Sequence, residues 1–182
     1  MKFSQFLNES PLMAHSNSFE SSNPKTLYKS YKNEQTFKQF EYEDYEYNIY
    51  KDQETMIVTL GDEGVLYCNF RFITVEGKKF FSNMLVKKSS VIDSFETVDI
   101  LYGILDEYGG LLSDNEQTTA GKKMWQNLIV SARKKKAKFG YAIKKDGKWT
   151  KIEVTDHPSK WFESEEYSDL YKNRNARLYI ER

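Results

Sequence analysis

The chain has 182 residues, a length that is typical of one globular domain and sufficient to bury a hydrophobic core. Lysine and arginine together number 27, as do aspartate and glutamate, so net charge gives no attraction to nucleic acid or to an anionic membrane. No stretch approaches the ~20 continuous apolar residues that cross a bilayer, and the amino terminus lacks a signal-peptide core of usual length. We therefore expect a cytoplasmic protein that spans no membrane, and nucleic acid is disfavoured as a partner.

Cysteine and histidine, the usual ligands of zinc and, for cysteine, the thiol nucleophile, are scarce. Cys68 is the single cysteine, so it cannot form an internal disulfide, and its apolar neighbours predict a buried thiol in a reducing compartment. The two histidines, His15 and His157, are far apart in the chain, and neither has partners at metal-ligand spacing. We expect no metal site and no cysteine nucleophile.

Residues 1–25 combine a short amphipathic start with a stretch rich in serine and asparagine, a composition typical of a leader and a flexible linker. One folded domain is expected to occupy residues 26–182. Between residues 26 and 40 the apolar residues are unevenly spaced, so this segment is compatible with either a short helix or a loop.

Strand signals follow from residue 45, where aromatic and aliphatic residues alternate with polar ones or form short runs. Residues 65–75 and 79–86 flank a short loop centred on Gly77, a spacing that predicts a long hairpin. The simplest arrangement is an antiparallel meander of about four strands by residue 88. The carboxylates at positions 41, 43, 44 and 46 are expected to face solvent along one strand.

The apolar period changes to three or four residues after position 90, which predicts a helix with Ser94 as its N-cap and Gly109 as its stop. Leu111 and Leu112 then predict a very short buried parallel strand. A second helix follows, with Thr118 or Thr119 as its cap. Four basic residues end that helix, and they are interpreted as a solvated helix end rather than a nucleic-acid patch.

The carboxyl-terminal part of the chain predicts three more strands. Residues 139–143 and 149–154 flank Asp146 and Gly147, a turn that favours a hairpin. Residues 177–180 predict a closing strand. The overall order is strands, helix, short strand, helix and strands.

Residues 80–132 carry a resemblance to a known family. A strand, a helix, a very short strand and a segment with Ser113-Asp114, Gln117-Thr118, Gly121 and Trp125 follow one another here. This order resembles the GNAT acetyltransferase superfamily, and the pattern is similar to that of divergent GNAT-like proteins of tailed bacteriophages. The resemblance spans residues 45–145. It implies an α/β (α+β) fold in which two central helices pack on a mixed, mostly antiparallel sheet.

The resemblance implies acetyl-CoA as the cofactor. In GNAT proteins the acyl-CoA pyrophosphate docks at the start of the helix after the meander, where backbone N–H groups and the helix dipole favour an anion. The corresponding residues here are Lys87, Lys88, Ser89, Ser90 and Ser94, with Gln117 as a further candidate. Family members usually carry two glycines in this loop, whereas this chain has neither, and Asp93 adds a repelling charge.

Many GNAT members also place a tyrosine in the next helix to protonate the departing thiolate. Trp125 occupies the matching position here, and an indole cannot act as that acid. Tyr102, Tyr108 and Tyr141 are possible substitutes, and Tyr102 and Tyr141 are our candidates for the catalytic residue. The implied function is transfer of an acetyl group to a host protein or a small amine. The missing glycines and tyrosine favour an alternative, a non-catalytic protein of the same fold that binds or inhibits a host factor.

The first nine residues resemble the capsid-targeting leader of internal head proteins in large tailed phages. The maturation protease of those phages cuts after Leu or Ile, any residue and Glu, and Leu7, Asn8 and Glu9 match that pattern. The resemblance implies packaging in the virion head, cleavage after Glu9 and delivery into the host cytoplasm. A plain helical turn at the amino terminus is the alternative.

Overall fold

The computed structural model describes residues 23–50, 54–90, 92, 94–114 and 118–182. Five helices lie within these residues: α1 Pro24–Tyr31, α2 Ser94–Tyr108, α3 Thr119–Lys134, α4 Pro158–Phe162 and α5 Glu165–Leu170. The strands there are β1 Thr36–Tyr42, β2 Tyr45–Tyr50, β3 Thr55–Leu60, β4 Glu63–Val75, β5 Lys78–Lys88, β6 Gly110–Leu112, β7 Lys138–Lys145, β8 Lys148–Glu153 and β9 Ala176–Glu181.

All these strands join one sheet in the order β1-β2-β3-β4-β5-β6-β9-β7-β8. The first five form a meander in which each strand is antiparallel to the one before it. β5 and β6 run parallel, and α2 lies in the connection between them, as parallel pairing requires. β9 lies between β6 and β7 and is antiparallel to both. The fold is therefore mixed α/β with a mostly antiparallel sheet, as the sequence predicts.

The parallel strands β5 and β6 stay together over only a short distance. Two successive pairs join them, and the last places Ser82 opposite Leu112. β5 then continues to Lys88, paired with β4 apart from one bulge. The chain after β6 instead bonds to β9, where the Ser113 N–H donates to the Leu178 carbonyl at 2.8 Å. We call the place where β5 and β6 separate, just past Ser82 and Leu112, the fork.

Several element ends confirm local signals in the sequence. Thr118 caps α3, because its side-chain oxygen accepts a hydrogen bond from the Gly121 N–H at 3.1 Å. Gly109 follows α2 with a φ of 74°, in the left-handed region that favours glycine after a helix. α2 itself begins at Ser94, so Ser94 is its first residue rather than the cap before it.

Other elements differ from the sequence-based expectation. α1 crosses the boundary expected at residue 25, and Asn23 caps it by accepting a hydrogen bond from the Thr26 N–H at 3.0 Å. β1 is an additional strand before the expected meander. The carboxylates at positions 41, 43, 44 and 46 therefore lie on a hairpin rather than along one strand, because the chain turns at Glu43 and Asp44.

Apolar clusters occupy both faces of the sheet. The larger one joins the sheet to α2, α3 and α4 through side chains such as Ile100, Leu128 and Trp161. A smaller cluster on other strand positions contains Val75, Phe80, Leu112, Ala142 and Tyr179. α1 covers a third, around Leu27, Tyr50, Ile57 and Tyr67. This packing fixes α2 and the strands that form the fork.

The contact between α2 and β2 is close at Gly103. Tyr47 of β2 is completely buried, and its hydroxyl donates a hydrogen bond to the Ile100 carbonyl at 2.9 Å. A Cβ atom added to Gly103 would lie 2.3 Å from the Tyr47 hydroxyl oxygen. Any side chain at position 103 therefore forces the helix and the strand apart.

We expect Gly103→Ala to destabilise the protein by ~1–3 kcal/mol, because overpacking against Tyr47 outweighs the ~0.5–1 kcal/mol that alanine contributes inside a helix. Urea unfolding measures the change through a shift in midpoint at constant slope. Asn127→Ala, at an exposed position of α3, is the control and should change stability by no more than about 0.5 kcal/mol. A stabilised Gly103→Ala would contradict the described packing of α2.

Candidate functional site

The residues proposed to bind the cofactor phosphates lie between the end of β5 and the start of α2. Lys87 and Lys88 are the last two residues of β5 and pair with β4, and Ser94 begins α2. Ser89 and Ser90 connect the two elements. Gln117 lies outside the described residues. The structure therefore brings five of the six candidates into one segment.

Two backbone amides of this segment already donate hydrogen bonds within the protein. The Ser89 N–H donates to the Val65 carbonyl at 2.8 Å, and the Ile92 N–H donates to the Ser89 carbonyl at 3.1 Å. The Ser89 and Ile92 side chains are buried, whereas Lys88 and Ser90 are exposed. An anion at this end of the sheet would therefore meet Lys88 and Ser90 rather than the amides of Ser89 and Ile92.

Tyr102, one of the two candidates for the catalytic acid, is part of the contact between α2 and α3. Its side chain is buried, and its hydroxyl donates to the Leu128 carbonyl at 3.2 Å. The Lys135 amino group lies 4.1 Å from the centre of its ring. Burial holds the pKa of Tyr102 well above its ordinary value. The Tyr102 hydroxyl therefore already has a hydrogen-bond acceptor, and its burial makes ionisation unfavourable.

Tyr141, the other candidate, belongs to a separate bridge. Its hydroxyl donates to one carboxylate oxygen of Glu166 at 2.8 Å, and the Trp161 Nε1–H donates to the other oxygen at 2.9 Å. Burial and the bond to Glu166 raise the pKa of Tyr141 to about 12. This bridge ties β7 to α4 and α5, and within the described chain no hydrogen bond or ring contact joins Tyr141 to Tyr102.

A cluster that the sequence does not reveal lies at the fork. Arg177 of β9 is 6% exposed, and its Nη1 donates to the Ser82 Oγ at 3.1 Å and to the Ser113 carbonyl at 3.3 Å. The Ser113 Oγ accepts a further hydrogen bond from the Leu178 N–H at 2.9 Å. The Arg177 guanidinium carbon lies 5.2 Å from the centre of the Trp149 ring. One buried arginine of β9 therefore connects β5 to the end of β6 at the fork.

Asp114, the residue after Ser113, adds a carboxyl to this cluster. Burial raises its pKa to about 6, and the positive charges of Arg177 and Arg71 offset only part of that rise. Burial and the nearby Arg71 lower the pKa of Arg177 to about 10, and Asp114 offsets part of that fall. Among the described residues, Asp114 forms no direct ion pair with either arginine. The three charges interact at a distance.

A small cavity of about 20 Å³ lies beside these groups, with room for about one water molecule. Its polar lining comes from Ser113, Asp114, Tyr171 and Arg177. The Arg177 Nε is buried and has no hydrogen-bond acceptor among the described residues. We call Ser82, Ser113, Asp114 and Arg177 the fork cluster. It joins a carboxyl whose pKa burial raises to about 6 to a buried donor that has no acceptor among the described residues, at the place where β6 separates from β5. The fork cluster is the candidate functional site.

The fork cluster could not be predicted from the sequence because its members are far apart in the chain. Arg177 and Ser82 are separated by 95 residues. Neither belongs to a motif, and the pKa of Asp114 depends on burial that only the folded chain creates. The one available signal was the Ser113-Asp114 pair in the resemblance.

The remaining chemical groups have structural roles. Cys68 is buried as predicted, and burial, with the charge of Asp114, raises the pKa of its thiol. His157 caps α4 by accepting a hydrogen bond from the Ser159 N–H at 3.4 Å. Across the described part of the chain, no group of three or more His, Cys, Asp or Glu side chains is arranged to hold a metal ion. In the same residues, no helix has both the length and the apolar character to cross a membrane.

Comparison with known proteins gives no assignment. No family model, no curated protein and no solved structure matches the chain significantly.

We expect Asp114→Asn to stabilise the protein above pH 6 and to leave its stability nearly unchanged near pH 4. The carboxyl ionises near 3.8 when unfolded and near 6 when folded, so stability falls as the pH rises through this window. The variant removes this cost, and we expect a gain of ~1–2 kcal/mol at pH 8. Urea unfolding between pH 4 and pH 8 measures it.

Asp156→Asn, at an exposed position, is the matched control and should show no gain that grows with pH. If Asp114→Asn were destabilised at pH 8, or shifted equally at every pH, the carboxyl would not be a buried group with a raised pKa.

Proposed function

We propose that the chain is a GNAT-like N-acyltransferase that transfers an acetyl group from acetyl-CoA to an amine of a host protein or a small molecule. The observation that carries this proposal is the fork. Within the described residues β5 pairs with β6 only as far as Ser82 and Leu112, and α2 begins just beyond the end of β5. A strand edge from which its neighbour has separated offers N–H and C=O groups that can bond an extended ligand such as the amide-containing arm of CoA.

The order of elements also supports the proposal. An antiparallel meander, the helix α2, the short parallel strand β6 and the helix α3 follow one another in the order on which the resemblance rests. The insertion of β9 between β6 and β7 brings Arg177 to the fork. The cofactor phosphates would lie near Lys88 and Ser90, which are exposed at the end of β5.

Asp114 supplies the base in this proposal. An amine must lose a proton as it attacks the thioester carbonyl, and a base is most effective when its pKa lies near the working pH. Asp114 has a pKa of about 6 and lies two residues past the last β6 pair. Its carboxylate accepts the amine proton while the new C–N bond forms and the C–S bond breaks.

The departing CoA thiolate requires no acid from the protein, because an ordinary thiol ionises near pH 8.5 and its thiolate is a competent leaving group. Solvent can therefore supply its proton. The assignment of Tyr102 or Tyr141 as the acid stays a prediction, and both hydroxyls are already hydrogen-bonded to other groups.

Lys88→Glu is expected to weaken acetyl-CoA binding about tenfold, because it replaces an attractive charge with a repulsive one beside the phosphates. Isothermal titration calorimetry with acetyl-CoA and CoA measures the affinity. Lys79→Glu makes the same exchange at an exposed position near the other end of β5 and should bind like the unchanged protein. Equal losses in both variants would contradict a phosphate site at Lys88.

The pH dependence of kcat/KM tests Asp114. We expect kcat/KM to rise with pH and to level off above an apparent pKa near 6, because the base must be ionised. The charged and titratable groups that act on or lie beside this carboxyl are Arg71, Arg177, Cys68 and Tyr171. Asp114→Asn should lower kcat ~100-fold and abolish the inflection, whereas Asp156→Asn should change neither. A retained inflection in Asp114→Asn would assign the base to another group.

A second candidate function is a non-catalytic interaction protein that binds or inhibits a host factor. It is favoured by the internal use of the Ser89 and Ile92 amides, which leaves fewer donors for a pyrophosphate. The calorimetric titration separates the two functions, because the absence of heat and of any thermal stabilisation at millimolar acetyl-CoA would remove cofactor and enzyme together. Leu7 and Glu9 lie outside the described residues, so phage origin, leader cleavage and packaging in the virion head stay predictions.

A further inference from the structure

The Arg177 guanidinium uses only part of its hydrogen-bonding capacity within the described chain. Both of its bonds there are made by Nη1, one to the Ser82 hydroxyl and one to the Ser113 carbonyl. The Nε–H is buried and has no acceptor among the described residues. A buried donor without an acceptor costs at least as much free energy as a typical hydrogen bond contributes, so nearly all such donors bond to the protein or to an ordered water. We therefore expect a partner for this N–H.

The cavity beside Arg177 has the size and the chemistry of a site for one water molecule. Its volume is about 20 Å³, and a single water needs roughly 10–15 Å³ of such volume. A buried water also needs about two to four polar partners, whereas a purely apolar cavity stays dry. The lining combines apolar and polar residues, namely Leu170, Ala176 and Leu178 with Ser113, Asp114, Tyr171 and Arg177. The cavity therefore suits a water and is too small for an organic ligand.

Asp114 supplies the carboxyl among the described residues that line this cavity. It forms no direct ion pair with Arg177 within the described chain, yet the two charges act on each other. Polar groups that are close without direct contact are commonly bridged by an ordered water. We propose that one water molecule occupies the cavity, accepts a hydrogen bond from the Arg177 Nε–H and donates one to the Asp114 carboxylate.

The bound water makes Arg177 a positioning residue for Asp114. Its hydrogen bond to the carboxylate favours the ionised form and restrains the rotation of the carboxyl group. Arg177 belongs to β9 and Asp114 follows β6, so the water also links these two parts of the chain at the fork. The water site depends on the fork cluster alone, and its effect on the base rests on the proposed acyl transfer.

The full chain without acetyl-CoA tests the water directly. In a high-resolution crystal structure, we expect one ordered water about 2.7–3.2 Å from the Arg177 Nε and at hydrogen-bond distance from an Asp114 carboxylate oxygen. In solution, the Arg177 Nε–H resonance should show a dipolar cross-peak to a long-lived water. An acceptor supplied to Nε by residues 115–117, an empty cavity, or a water that contacts Nε but not Asp114 would overturn the proposal.

Arg177→Lys separates the effect of the water from the charge of the arginine. The lysine ammonium keeps the positive charge and can bond to Ser82, but it has no Nε–H to hold the water. We expect the acid dissociation constant of Asp114, measured by the ¹³C shift of its carboxyl, to fall about two- to tenfold, because the carboxylate loses a hydrogen bond. An unchanged constant would show that the arginine acts through its charge alone and would contradict the proposal.

Ser82→Ala is the matched control, because it removes a bond of Nη1 and keeps Nε. It should leave both the dissociation constant of Asp114 and the cross-peak to water unchanged, and a change equal to that in Arg177→Lys would also contradict the proposal. Both variants retain the other charged or titratable groups that act on or lie beside this carboxyl, namely Arg71, Cys68 and Tyr171. If Arg177→Lys does not fold, the crystal structure and the cross-peak of the unchanged protein decide.

The outcomes also distinguish the water site from the proposed function. A bound water in a protein that gives no heat with acetyl-CoA would retain the water site and remove acyl transfer. If acyl transfer occurs, the inflection in the pH profile of kcat/KM should move to higher pH in Arg177→Lys and stay in place in Ser82→Ala. An inflection that does not move in Arg177→Lys would retain acyl transfer and remove the positioning role of Arg177.

Discussion

The hydrogen bonds of Arg177 hold together the three strands on which the site depends. β5, β6 and β9 come from distant parts of the chain, and one buried guanidinium bonds to the first two from the third. A buried cation is stable only when it is hydrogen-bonded or paired. The serine hydroxyl, the carbonyl after β6 and the face of Trp149 supply this compensation. The fork exists in this form because these contacts fix where β5 and β6 part.

The same arrangement contains two groups that destabilise the folded state, and packing alone does not explain why they are there. The Arg177 Nε, which has no acceptor among the described residues, and a carboxyl with a raised pKa both oppose folding, yet they lie within one small cluster. Perturbed pKa values and unsatisfied groups concentrate at functional sites, where the ligand or the chemistry provides the missing partner. The fork cluster shows both features at the place where β6 separates from β5. This coincidence distinguishes it from Tyr102 and Tyr141, whose hydroxyls already have hydrogen-bond partners.

Much of the fold followed from local sequence signals, because each depends on neighbouring residues. The period of α2, the cap of α3 and the turn at Asp146 and Gly147 all gave elements that the structure contains. β1 was missed because the apolar residues before position 40 are unevenly spaced, and because residues 41–46 alternate through a hairpin as a single strand would. The position of β9 could not be predicted, because its insertion between β6 and β7 depends on contacts between residues that are far apart in the chain. The two candidate sites differ for a related reason: residues 87–90 are contiguous and can be proposed from the sequence, whereas the fork cluster forms only through that insertion.

The most direct test of the fork as the binding site is a map of backbone amide shifts on titration with acetyl-CoA, recorded by ¹⁵N correlation spectroscopy of the full chain. The account predicts that the largest shifts fall on Val86, Lys88 and Ser90 at the end of β5 and on Leu112 and Asp114 at the end of β6. Shifts confined to other strands, or no shifts at millimolar ligand, would contradict it.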